Sequence, residues 1–154
     1  MNRRLEKCIE IASSLRPHKQ NGRSFHATFI FDKKRIVSIG TNDYNKHHPY
    51  HKMGKYLGYK ENPENYKPCL HSEISAIIKL GEEDLSRYTV VNVRVDKNNQ
   101  IALAKPCLNC LRVLQQTGYK KLFYTDPEKG FVELMGWFFL RSREKAKNKQ
   151  PRIL

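Results

Sequence analysis

Two short stretches of this sequence carry side chains that bind metal and move protons: His71-Ser72-Glu73, and Pro106-Cys107-Leu108-Asn109-Cys110. Each is expected to begin a helix, and the strand between them brings the two helix starts side by side. Cysteines at i and i+3 share a helical face, and the positive end of the helix dipole favours the thiolate that a metal requires. An imidazole and two thiolates make a Cys2His donor set suited to zinc. Three protein ligands leave the fourth tetrahedral position to water, which separates a catalytic site from a closed structural one. Two thiolates neutralise the charge of Zn²⁺, so deprotonating that water calls for a nearby base. Glu73 lies two residues from His71 and is not needed as a ligand, which makes it the candidate proton carrier. One catalytic zinc ion per chain is expected.

The elements that must position these residues follow from periodicity. Leu5, Cys8, Ile9, Ala12 and Leu15 recur at three- and four-residue spacing until Pro17, which predicts a first amphipathic helix over Arg3 to Arg16. Ser24 to Phe31 and Arg35 to Gly40, joined by Asp32-Lys33-Lys34, read as a β-hairpin. Cys69 to Leu80 places Ile74, Ile77 and Ile78 on one helical face, with Gly81 as its stop. Tyr88 to Val95 is a strand, DKNN turns the chain, and Gln100 to Ala104 continues or returns it. Lys105-Pro106 is expected to open a third helix, with proline in its first turn, running to about Gln116 and ended by Gly118. Lys121 to Thr125 and Phe131 to Met135 flank a loop ending in Gly130 that suits an antiparallel hairpin. The result is an α/β layered domain around one sheet.

The chain has 154 residues, 39% of them hydrophobic and 29% charged, which suits one globular core. No stretch approaches the ~20 apolar residues that span a bilayer, and MNRRLEKCIEIASSLR lacks the apolar centre of a signal peptide. A soluble, cytoplasmic protein with reduced thiols is expected. Lys and Arg number 29 against 15 Asp and Glu, a net charge of +14. A field of that size draws polyanions, so a phosphate-bearing partner is expected, against the plainer reading of a solvated surface.

His-x-Glu followed by Pro-Cys-x-x-Cys is the signature of the zinc nucleobase deaminases, and both halves are present in full. Residues 24 to 135 resemble the cytidine deaminase superfamily: cytidine and deoxycytidylate deaminases, tRNA adenosine deaminases, and polynucleotide cytosine deaminases, several of them from phages and bacteria. The resemblance implies a cytidine-deaminase-like mixed β-sheet of about five strands sandwiched by helices, the last two strands antiparallel. A deaminase domain is expected over 1–140, followed by a tail over 141–154 that its charge pattern marks as basic. The resemblance implies that His71, Cys107 and Cys110 hold zinc while Glu73 takes a proton from the attacking water and delivers it to the ring nitrogen and later to the departing amine. Asn42 matches the family's asparagine after the second strand, which hydrogen-bonds the sugar. The backbone around Ser72 and Glu73 would read the pyrimidine oxygen. Two departures stand out: Ser72 where relatives usually carry Ala, and Lys105, beside the metal, where nucleic-acid deaminases often carry Ser or Glu.

Between Thr41 and Pro68 periodicity is lost, and five of the eight tyrosines and three of the six histidines fall there. Tyr44, Tyr50, Tyr56, Tyr59 and Tyr66 alternate with lysines 46, 52, 55, 60 and 67, which suits base stacking with phosphate contact and equally suits an ordinary loop pinned by aromatics. Tyr44, His47, His48, Ser72 and Lys105 join Asn42 as candidate substrate contacts. Cys69 with His47, His48 and His51 is the one set that a second, structural zinc would use. Such an ion is not expected, and Cys69 and Cys8 read as small buried hydrophobes. Trp137, Phe138 and Phe139 read as core or as a subunit interface, with the oligomeric state left open. The tail from Arg141 to Arg152 holds six basic residues and one acid.

The expected activity is hydrolytic deamination of cytosine to uracil in nucleic acid, on a single strand or a flipped base. The first alternative is a free-nucleotide enzyme converting deoxycytidylate to deoxyuridylate, its single phosphate met by Lys46 or Lys52. Adenine deamination ranks third. A non-catalytic zinc-stabilised nucleic-acid-binding module ranks fourth, because it leaves Glu73 without a role and needs a fourth protein ligand.

Overall fold

Helix α1 (Arg3–Leu15) begins where the Asn2 side chain accepts a hydrogen bond from the Arg4 N–H, and it ends at Arg16, whose backbone is already extended ahead of Pro17. Its apolar stripe buries Cys8 and Ala12 completely. This computed structural model describes residues 2–17, 25–43 and 70–134. Strands β1 (Phe25–Asp32) and β2 (Arg35–Thr41) form the expected hairpin, with Lys33 in the left-handed region at φ 54°. β1 is covered on both faces, so five consecutive residues from Ala27 to Phe31 are buried without alternation.

Helix α2 (Ser72–Leu80) is shorter than the periodicity predicts. Leu70 exchanges backbone hydrogen bonds with Asp43, at 2.8 and 3.1 Å, and that pairing keeps the chain extended until His71 caps the helix. Cys69 lies outside the described residues. Gly81 closes α2 in the left-handed conformation at φ 71°, its N–H reaching the carbonyls of Ile77 and Ile78.

β3 (Tyr88–Val95) turns at Asn99 into the two-residue return strand β4 (Ile101–Ala102), antiparallel to it. Helix α3 (Leu108–Thr117) then starts three residues later than the Lys105-Pro106 reading, which places Pro106 ahead of the cap and not in the first turn. Ala104 is tied to the sheet by its N–H bond to the Thr125 carbonyl at 2.8 Å, so the segment up to Cys107 stays non-helical. Gly118 ends α3 as expected. β5 (Lys121–Asp126) runs parallel to β3, and β6 (Gly130–Glu133) returns antiparallel beside it.

The six strands among the described residues form one mixed sheet in the order β2-β1-β3-β5-β6, with β4 alongside the end of β3. Two apolar clusters cover its faces. Cys8, Ala12, Phe25, Ala27, Phe29, Phe31, Val91, Val93 and Val95 form the α1 side. Ile30, Ile74, Ile77, Tyr88, Val90, Val113, Leu114 and Leu122 form the side of α2 and α3. Gly40 lets α2 approach β2: a Cβ there would collide with the Ser72 carbonyl and the Ala76 N–H, so only glycine permits this contact. That approach presses the start of α2, with His71 to Glu73, against the sheet.

Candidate active site

His71 occupies the cap position of α2 in an extended conformation, φ −80° and ψ 155°, and makes no side-chain cap bond. Cys107 caps α3, its sulfur accepting the Cys110 N–H at 3.5 Å, and Cys110 follows in the first turn. Because α2 and α3 lie on the same face of the sheet, these two helix starts meet. His71 Nδ1 is 3.4 Å from both Cys107 Sγ and Cys110 Sγ, and the three ligand atoms lie within 4.8 Å of one another. Zinc bonds of about 2.3 Å to sulfur and 2.0–2.1 Å to nitrogen, at a tetrahedral angle, separate N and S by roughly 3.6 Å. The donor set therefore fits one zinc ion in type, number and spacing. Burial pushes the Cys110 thiol well above its ordinary value, with Cys107 and Glu73 adding to the rise, so the thiolate needs a cation beside it.

Glu73 sits in the first turn of α2, 6% exposed. Its Oε1 accepts a hydrogen bond from Asn92 Nδ2 at 2.9 Å, and its Oε2 accepts from Ser72 Oγ at 3.3 Å. Desolvation, then the Cys107 charge, push its carboxyl up from the usual range, while His71, its own backbone N–H and Ser72 oppose them. A carboxyl so placed takes up a proton more readily than an exposed glutamate, which suits a group that receives one from water.

Of the expected substrate contacts, Asn42 follows β2 directly. Its Oδ1 accepts the His26 N–H at 2.9 Å while its own N–H reaches the His26 carbonyl at 3.3 Å, so part of its amide already ties β1 to the end of β2. Ser72 is buried beside Glu73, and Lys105 is exposed. Tyr44, His47 and His48 lie outside the described residues, as do the remaining tyrosines and lysines of that loop, His51, Trp137 and the basic tail.

Three residues of this site escape a reading of motifs. Thr28 on β1 and Asn92 on β3 are buried polar side chains facing Glu73 and Ser72. His26, on the same face of β1, is pushed down to about 4, by burial first and then by Arg94 and His71, with Cys107 opposing, so it stays neutral near pH 7. The available signal was a single Thr within the buried run Ala27 to Phe31 and a single Asn within the buried run Val90 to Val93.

No curated protein matches the chain in sequence. Among solved structures, the crystal structure of cytidine deaminase from Mycobacterium leprae aligns over 84% of this chain and 88% of that one, at 18% identity and a TM-score of 0.44. Among the described residues no helix is long and apolar enough to cross a membrane. Residues 2–126 match the model of the cytidine and deoxycytidylate deaminase zinc-binding region, and the chain belongs to that family.

Proposed function

We propose that this protein hydrolyses cytosine to uracil in nucleic acid, with His71, Cys107 and Cys110 as metal ligands and Glu73 as proton carrier. The observation that carries the reading is the buried Glu73 carboxyl beside a three-ligand centre. Zinc, when bound there, supplies the Lewis acidity that makes a water nucleophilic near neutral pH. Glu73 takes a proton from the attacking water and gives it to ring N3 as the C4–O bond forms. It then takes the second proton of the new hydroxyl and gives it to the amino group, and the C4–N bond breaks to release ammonia. Asn42 holds the sugar, and the N–H groups of Ser72 and Glu73, at the start of α2, meet the pyrimidine oxygen.

Charge and composition favour a polynucleotide: the net charge is +14, tyrosines alternate with lysines between Thr41 and Pro68, and residues 141–152 add six basic side chains. The description of the matched family, which names cytidine and deoxycytidylate, favours a second reading in which a free nucleotide enters the same site.

The deciding experiment incubates zinc-loaded protein and its Glu73→Ala variant with single-stranded DNA, duplex DNA, RNA, cytidine and deoxycytidylate, scoring uracil and ammonia. Uracil in a polynucleotide, from the wild type alone, supports the first reading. Conversion confined to cytidine or deoxycytidylate replaces it with the second, and no product from any substrate overturns both.

A further inference from the structure

Asn92 stands in the middle of β3 at 2% exposure, among Val90, Val91, Val93 and Val95, and Thr28, its register partner on β1, is fully buried. A polar side chain so placed costs stability unless its hydrogen bonds are made. Both ends of the Asn92 amide are engaged: Oδ1 is 2.9 Å from Thr28 Oγ1, and Nδ2 donates to Glu73 Oε1 at 2.9 Å. An amide oxygen only accepts, which commits the single Thr28 hydrogen to it and turns Nδ2 toward Glu73. Ser72 Oγ, 2.8 Å from Thr28 Oγ1 and 3.3 Å from Glu73 Oε2, completes the ring of contacts.

We propose that Asn92 is a positioning residue for the proton carrier, pinning Oε1 of Glu73 so that Oε2 is the oxygen presented to the reaction, with Thr28 aiming the Asn92 amide. The inference rests on the role assigned to Glu73 above. A glutamate in the first turn of a helix has several rotamers, and a proton carrier is effective only when held within hydrogen-bond reach of its target. Two rigid central strands supply that hold, and the rigidity of the sheet is transferred to one carboxyl oxygen. The donor lies on β3 and the carboxyl on α2, so the bond also fixes the distance between helix and sheet where the metal ligands meet.

The test compares wild type, Asn92→Ala, Thr28→Val and Thr28→Ser, each checked for zinc content per chain and for thermal unfolding. Asn92→Ala is expected to lower kcat by roughly tenfold to a hundredfold, the range for losing a hydrogen bond to a charged group, and Thr28→Val, which loses one to a neutral amide, by roughly threefold to tenfold, with KM and zinc content unchanged. Thr28→Ser, which keeps the hydroxyl, is expected to restore most of what Thr28→Val loses. Should Asn92→Ala not fold, the near-isosteric Thr28→Val carries the comparison. A kcat within twofold of wild type in the folded variants, or a matching loss in Thr28→Ser, overturns the proposal. A protein inactive on every substrate defeats the functional reading, and the clamp is then decided by NMR of the Asn92 side-chain amide. Its protons are expected to exchange more slowly than those of exposed Asn98 and Asn99, and to shift and exchange faster in both Glu73→Ala and Thr28→Val. An Asn92 amide signal unchanged by those substitutions overturns the proposal.

Discussion

The two faces of the central strands are built from the same backbone and do different work. On the α1 side, Ala27, Phe29 and Phe31 of β1 meet Val91, Val93 and Val95 of β3 in one apolar cluster. On the other side the same strands present Thr28 and Asn92 toward α2, and those two residues hydrogen-bond the network that holds Glu73. The period of two along a strand makes this division possible, since alternate residues answer to different neighbours. One face supplies stability, and the other gives up some apolar contact to place a carboxyl and three metal ligands. The structure thus separates the apolar face packed against α1 from the polar face that carries the candidate site, and substitutions on the two faces are expected to have different signatures.

The largest effect is expected on the polar face. Cys110→Ala removes a buried ligand from a donor set already at the minimum of three for a catalytic zinc, so metal content per chain and deamination both fall below detection. A variant that kept stoichiometric zinc and activity would show that some other residue completes the centre. On the α1 face, Phe29→Ala empties the place of a fully buried ring and is expected to cost about 3–5 kcal/mol by chemical denaturation. The kcat of the molecules that remain folded should hold, and a fall in kcat alongside intact zinc content would break the separation of the two faces.

This division also explains which features were legible in the sequence. The grouping of His71, Cys107 and Cys110 was legible because metal binding demands particular residue types at short spacing, and the stops at Gly81 and Gly118 because a left-handed turn favours glycine. The antiparallel last hairpin followed from a short loop ending in Gly130, whose φ is 78°. The helix starts were less legible. Leu70 pairs with Asp43 and Ala104 with Thr125, long-range backbone contacts that hold both chains extended past the point where periodicity begins a helix. Thr28 and Asn92 were missed for a related reason: a polar residue in an apolar strand acquires meaning only from what faces it, and Glu73 is 19 positions from Asn92 and reached through α2. Strand order was hidden too, because β1 sits between β2 and β3 by pairing with residues more than 50 positions away.

A smaller, pH-dependent effect sharpens the comparison. His26 lies on the polar face, held by burial at about 4 against an ordinary value of 6.5. Between those values the unfolded chain binds the proton and the folded one does not, so stability rises with pH through this window and is lost as pH falls from 6.5 toward 4. The shift corresponds to at most about 3 kcal/mol, less where solvent reaches the ring. His26→Gln, which cannot titrate, is expected to flatten the wild-type dependence of unfolding free energy between pH 6.5 and 4. Taking the difference between the two proteins removes the acid lability of the metal ligands they share. Parallel curves would mean that His26 titrates alike in both states and that the polar face is wetter than its burial indicates.

The smallest effect is expected at the far edge of the apolar face, where Asn2 Oδ1 accepts the Arg4 N–H at 3.1 Å and begins α1. Asn2→Ala leaves that first-turn donor to water and is expected to cost about 1 kcal/mol in urea unfolding. The loss reaches the sheet through Leu5, Cys8, Ile9 and Ala12, which pack on the β1 and β3 cluster from the side away from Glu73. Neither KM nor kcat should therefore change, although the midpoint of unfolding does. If kcat fell with so slight a loss of stability, α1 would be coupled through the strands to the carboxyl on the other side, and the sheet would be a transmitter between its faces and not a partition.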